Sequence, residues 1–172
     1  MKIENVKFQY FFWGAFFFFL MGAVSGIIVV YSMSDQDWLE SSEILVNHKA
    51  GFEASLGIFI RNIGVAAILA SGLFLFGLPT LIVLFINGLW IGTVIASRLA
   101  EGVSLATLLL KLLPHGVLEL PALLLAGAIG LKGFVFYFQS KKDWRFYYRM
   151  TRWIILLLVV AALIEGFVTS VV

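Results

Sequence analysis

The chain has no cysteine, which excludes disulfides, thiolate nucleophiles and thiolate metal ligands. Imidazole is nearly as scarce: His48 and His115 are the only histidines. Charged residues make up 13% of the sequence, against about a quarter in soluble domains. Apolar residues take their place, at 62%, with a mean hydropathy of +1.03. A soluble globular class is thereby excluded, and a polytopic integral membrane protein remains. The 172 residues hold several spans of about 20 residues each, with no room expected for a separate soluble domain. The formal net charge of +2 points to no particular partner. No cofactor and no nucleic-acid partner is expected.

The predicted fold class is all-α, with a single membrane domain over 1–172. It has five transmembrane helices, an outer amphipathic helix and a short interfacial or re-entrant helix. The spans fall at about 8–31, 54–76, 80–97, 114–137 and 153–172. Lys2 and Lys7 precede the first apolar run, but that run is too long for a signal-peptide h-region and is expected to be retained. It carries Gly22-x-x-x-Gly26, and the third span carries Gly88-x-x-x-Gly92; both are close-packing seams. Between the first two spans, Ser34 with Asp37 fits a helix-start capping box, and Trp38, Leu45 and Phe52 recur at sevens. That pattern predicts an amphipathic helix over 32–53 on the membrane surface. Residues 103–113 are apolar but too short to cross, and Pro114 is expected to end them and to open the fourth span. Pro121 should bend that span.

Residues 139–152 hold Lys141, Lys142, Arg145, Arg149 and Arg152 against one acid, with Trp144, Tyr147, Tyr148 and Trp153 as interfacial aromatics. By the rule that cytoplasmic segments are rich in Lys and Arg, this loop and the N-terminus should lie in the cytoplasm. Five spans then place 32–53 and the C-terminus outside the cell membrane.

The polar groups inside the spans are the informative ones. His115 and Glu119 stand four residues apart in an otherwise apolar run, and so share one helix face with the small residues Ala122, Ala126 and Gly130. That face should point into protein and the Leu/Ile-rich face into lipid. An ionisable group at membrane depth costs several kcal/mol and needs a partner. Converting position to depth puts His115, Glu119, Arg61 and Glu165 in one leaflet, with Asn87 nearer the middle. The expectation is a buried polar cluster of Arg61, Asn62, Asn87, His115, Glu119 and Glu165, in which Arg61 pairs with Glu119 or Glu165. Three readings are open. The cluster fixes helix register, it lines a polar cavity, or His115, Glu119 and Glu165 ligate a metal.

These residues carry a family resemblance. The chain resembles the stage II sporulation protein M family in Leu113-Pro114-His115-Gly116, in Glu119-Leu120-Pro121-Ala122 and in Gly127-Ala128-Ile129-Gly130-Leu131. Arg61-Asn62, Asn87-Gly88 and the stretch from Ala161 through Glu165 to Thr169 support it. The resemblance implies an all-helical membrane protein without enzymatic activity of its own. In spore formers the named member resembles a scaffold that acts with peptidoglycan-degrading partners; relatives also occur in organisms that make no spores. The expected function is therefore a membrane scaffold or anchor. It would act as a homodimer on the strength of its small-residue seams, with a membrane or extracytoplasmic protein as further partner. The alternatives are a small-solute or ion transporter and an intramembrane metal-dependent hydrolase.

Overall fold

Hydrocarbon offers backbone N–H and C=O groups no hydrogen-bond partner, so an apolar run that crosses it must satisfy them internally, as a helix. The computed structural model describes residues 6–32 and 51–167, with the side chains of 111, 112, 114 and 115 outside that description. The elements are α1 (Phe8–Ser32), α2 (Phe52–Ser71), α3 (Leu78–Ala100), α4 (Leu105–Leu131), the single turn α5 (Gly133–Phe136) and α6 (Trp144–Phe167). Among the described residues, five segments are long and apolar enough to cross a membrane: α1, α2, α3, Gly116–Phe136 and α6. The protein is an all-α, multi-pass membrane protein.

The two glycine pairs lie against each other. A Cβ on Gly22 or Gly26 would overlap the Phe85 or Leu89 carbonyl of α3, and one on Gly88 or Gly92 would overlap the Phe19 or Ala23 carbonyl of α1. Residue numbers rise together across this seam, so α1 and α3 run parallel, as alternating spans require. The return between them is the tight turn after α2. Gly77 takes φ +73° there and donates its N–H to the Gly72 carbonyl at 2.7 Å. Pro79 follows in the first turn of α3, where no intrahelical N–H is called for.

α4 is the hub. It is 56% buried over its crossing segment, against 22–28% for the other four. Ala122, Ala126 and Gly130 are buried, as their spacing predicts. The opposite, leucine-rich side is not left to lipid: Leu123, Leu124, Ile129 and Leu131 are buried too. The exposed leucines sit earlier in the helix, at Leu105, Leu109, Leu110 and Leu113. α4 thus changes from a half-exposed helix to an enclosed one along its length.

Three boundaries differ from expectation. Residues 103–113 form no separate helix, because α4 runs unbroken from Leu105 through Pro114 and Pro121. Its start is set by Ser104, whose hydroxyl accepts the Thr107 N–H at 3.2 Å. Proline is tolerated inside membrane helices where neighbouring groups take over the freed carbonyls. α6 begins at Trp144, nine residues before the predicted span, because the Asp143 carboxylate accepts the Phe146 N–H at 3.0 Å and caps it. Arg145, Arg149 and Arg152 therefore lie on helix, exposed, rather than in a loop. α2 ends at Ser71, where the turn takes over from the apolar pattern. The amphipathic helix expected over 32–53 falls outside the described residues except at its two ends.

Gly22→Ala and Gly88→Ala should each lower stability in detergent by about 1–3 kcal/mol, because the added methyl meets backbone that cannot move aside. Gly57→Ala meets nothing within 4 Å. It should leave thermal unfolding unchanged or raise stability by up to ~1 kcal/mol through helix propensity.

Candidate functional site

Two consecutive helical residues point about 100° apart, so Arg61 and Asn62 cannot share a face. The structure sends Asn62 inward, 4% exposed, along the buried line Ser55, Asn62, Ala66, Leu69. Arg61 goes outward and is exposed, beside Ile60 and Ile68. The interior pairing of Arg61 with a glutamate is not made, and among the described residues Arg61 has no hydrogen bond or ion pair. α2 has 20 residues, about 30 Å of helix and so about the thickness of the hydrocarbon. Arg61 is the tenth of them, which puts its Cα near the bilayer midplane.

The other members of the expected cluster share its level more than its facing. α4 runs beside α2 in the same direction, because the site of a Cβ on Gly130 overlaps the Leu69 carbonyl and, one turn on, that on Gly133 overlaps the Gly72 carbonyl. Glu119 is then about level with Ile58 by helical rise, within one turn of Arg61. It is half-buried and has an interaction partner. Glu165 is half-buried near the end of α6, where the Gly51 N–H donates to the Gly166 carbonyl at 2.8 Å. That places it level with the first turn of α2, about 9–14 Å from Arg61 along the axis. Asn87 is half-buried and turns its amide back onto its own helix, donating to the Val83 carbonyl at 2.8 Å. The His115 side chain is outside the described set. Among the described residues no three His, Asp or Glu side chains gather to hold a metal.

The interior polar contacts lie elsewhere. Thr80 is fully buried and donates to the Leu69 carbonyl at 2.7 Å, tying α3 to α2 beside Gly130 of α4. The Asn62 amide nitrogen and the Tyr147 hydroxyl are buried without a hydrogen-bond partner among the described residues. A face of α2 carries the remaining signal. Gly57, Arg61 and Gly64 lie at helical spacing on its outer side, and a Cβ on either glycine would meet nothing within 4 Å. The sequence reading missed this face because it took Arg61 as an interior group.

A second polar region closes the opposite end of the bundle, where α1 starts and α2 turns into α3. Tyr137 donates its hydroxyl to the Phe74 carbonyl at 2.8 Å and stacks on Phe76 at 4.9 Å. Phe136, Trp144, Phe146 and Tyr147 pack edge to face around it, and Phe8 of α1 meets Phe146 at 5.0 Å. Lys132 and Lys142 lay their ammonium groups over rings of this cluster. Such a band of aromatics with basic residues marks a membrane–water interface.

Comparison with known proteins gives a consistent answer. The family model described as Stage II sporulation protein M matches residues 15–170. An uncharacterized protein of Methanocaldococcus jannaschii is 28% identical over 161 residues, covering 88% of this chain and 89% of its own length. No solved structure matches.

Thr80→Val removes the shorter of two hydrogen bonds to the Leu69 carbonyl, which keeps the Gly72 N–H at 3.3 Å, and should cost about 0.5–1.5 kcal/mol in detergent unfolding. Asn62→Leu removes an amide whose nitrogen has no bond to lose and should be neutral or stabilising. Arg61→Leu breaks no contact among the described residues and should leave the stability of the isolated protein unchanged or raise it.

Proposed function

The chain belongs to the stage II sporulation protein M family, and from that premise we propose that it is a non-enzymatic membrane scaffold that holds a partner protein through the outer face of α2. The carrying observation is Arg61, exposed near the bilayer midplane between two glycines that pack against nothing. A guanidinium facing hydrocarbon is costly, and a transmembrane helix of a partner removes that cost by supplying a carboxylate at the same level. Gly57 and Gly64 let such a helix approach closely.

The homodimer expected from the glycine seams finds less support. Gly22, Gly26, Gly88 and Gly92 are occupied within one chain. A two-fold axis along the membrane normal through the α2 face would set Arg61 against its own copy, and like charges at low dielectric repel. A different membrane protein with an acidic residue in its span fits this face better. The polar cluster does not enter this reading, since Arg61 lies outside it.

The charge distribution supports an orientation. Lys7, Lys141, Lys142, Arg145, Arg149 and Arg152 are exposed at the aromatic end. At the other end Arg98 is held by Glu101 at 2.7 Å. The aromatic end is then cytoplasmic, with the N-terminus, and the C-terminus is outside.

Photocrosslinkers placed at Ile60, Gly64 and Ile68 in native membranes should give an adduct with one defined protein, which Arg61→Leu abolishes. Crosslinkers at Trp13 and Phe17, exposed on α1, should not. Adducts with lipid alone from α2 would overturn the reading, and adducts with a second copy would replace it by a homodimer. A single cysteine at Ser140 should react with membrane-impermeant reagents only in inverted vesicles.

A further inference from the structure

The connection from α4 to α6 borders a cavity of about 390 Å³, open to the surface and lined by Lys132, Gln139, Ser140, Lys141 and Asp143. Its charge is unbalanced. Asp143 is the only acid in the lining, and one of its oxygens is already engaged by the Phe146 N–H as the cap of α6. Lys132 is half-buried, with its ammonium 4.9 Å from the Phe146 ring centroid and 5.0 Å from that of Tyr147. Those rings hold it in place and take up part of the space that water would fill, and among the described residues no carboxylate lies within ion-pair distance of it. Lys141 stands in the same lining, and Gln139 adds an amide donor. A half-buried cation, a second cation and a neutral donor around one cavity form a receptor for a compact anion.

The surroundings say where that anion comes from. The cavity belongs to the aromatic band at the bundle end, where headgroups lie. Phe134 and Phe138, between Lys132 and the rest of the lining, are exposed as surface for acyl chains. Trp144, Tyr148 and Trp153 are exposed on the neighbouring turns of α6. Basic pockets between membrane helices on the positively charged side take anionic headgroups. A phosphate ester is the anion that occurs at this depth.

We propose that the α4–α6 connection binds the phosphate of an anionic phospholipid, with Lys132 and Lys141 as its cationic contacts and Gln139 as hydrogen-bond donor. The site is separate from the α2 face and stands whether or not that face holds a partner.

The test is native mass spectrometry of the full chain in detergent, titrated with phosphatidylglycerol, phosphatidylcholine or inorganic phosphate. Phosphatidylglycerol should be retained and phosphatidylcholine should not. Lys132→Met and Lys141→Ala should each weaken retention about fivefold, the effect of one basic residue at a membrane surface. Lys132→Arg should restore it. Arg152→Ala removes an exposed base outside the cavity and should change retention less than twofold, within ordinary surface variation. Equal retention of both lipids, or equal losses in Lys141→Ala and Arg152→Ala, would overturn the proposal in favour of diffuse attraction. Inorganic phosphate that displaces phosphatidylglycerol at comparable concentration would overturn the lipid source and leave a soluble phosphate as ligand. Because Lys132→Met also removes a ring contact, the exposed Lys141→Ala carries the decision if the former fails to fold.

Discussion

In hydrocarbon a leucine gains little by leaving lipid for protein, so helices are held together by contact at short range rather than by exclusion of water. α1 and α3 meet this condition with four glycines that let each backbone rest on the other. The parallel pair they form provides the wall on which α4 lies. Ala15 of α1 and Leu84 of α3 both reach the position of Gly127. The same device recurs where Gly130 meets the Leu69 carbonyl of α2, so α1, α2 and α3 each reach α4 at one of its glycines. The bundle is organised by the places where side chains are missing.

This explains what could be read in the sequence. Hydropathy marks the spans, because length and apolarity are properties of each segment alone. The glycine seams and the buried small face of α4 are legible for a similar reason: spacing shows which residues of one helix share a side. The candidate site was less legible. Depth along the membrane normal can be counted from the sequence, and Arg61 and Glu119 do fall within a turn of each other. Facing cannot be counted, because it depends on which neighbour each helix finds. Arg61 and Asn62 show the consequence: one of two adjacent polar residues had to turn outward, and the buried line through Ala66 and Leu69 decided for Asn62. The early start of α6 and the continuity of α4 were hidden by caps at Asp143 and Ser104, polar residues that read equally well as loop.

Charge and shape divide the molecule into two different surfaces. The aromatic end is dense with rings and exposed bases and suits the headgroup region. The flank of α2 is smooth, notched by Gly57 and Gly64, and carries one cation where lipid has nothing to offer it. The first surface places the protein in the bilayer. The second sets an exposed base, without a hydrogen bond or ion pair among the described residues, on the outside of a membrane helix.

The enclosure of α4 has a consequence for biosynthesis. Chains fold from the N-terminus as they emerge, so α1, α2 and α3 can join before α4 enters the membrane. α6, which packs on both α4 and α2 and buries Ile154, Leu158, Ala161 and Ala162, emerges later. In the interval, the side of α4 that α6 will cover faces lipid or the insertion machinery. When α6 arrives, its far end meets the beginning of α2, where Ser55 packs against Gly166 and the Gly51 N–H reaches the Gly166 carbonyl. Segments made more than a hundred residues apart are thus fastened to each other once α6 is in place, and a ribosome that stalls before α6 leaves the hub helix in the membrane with one side uncovered.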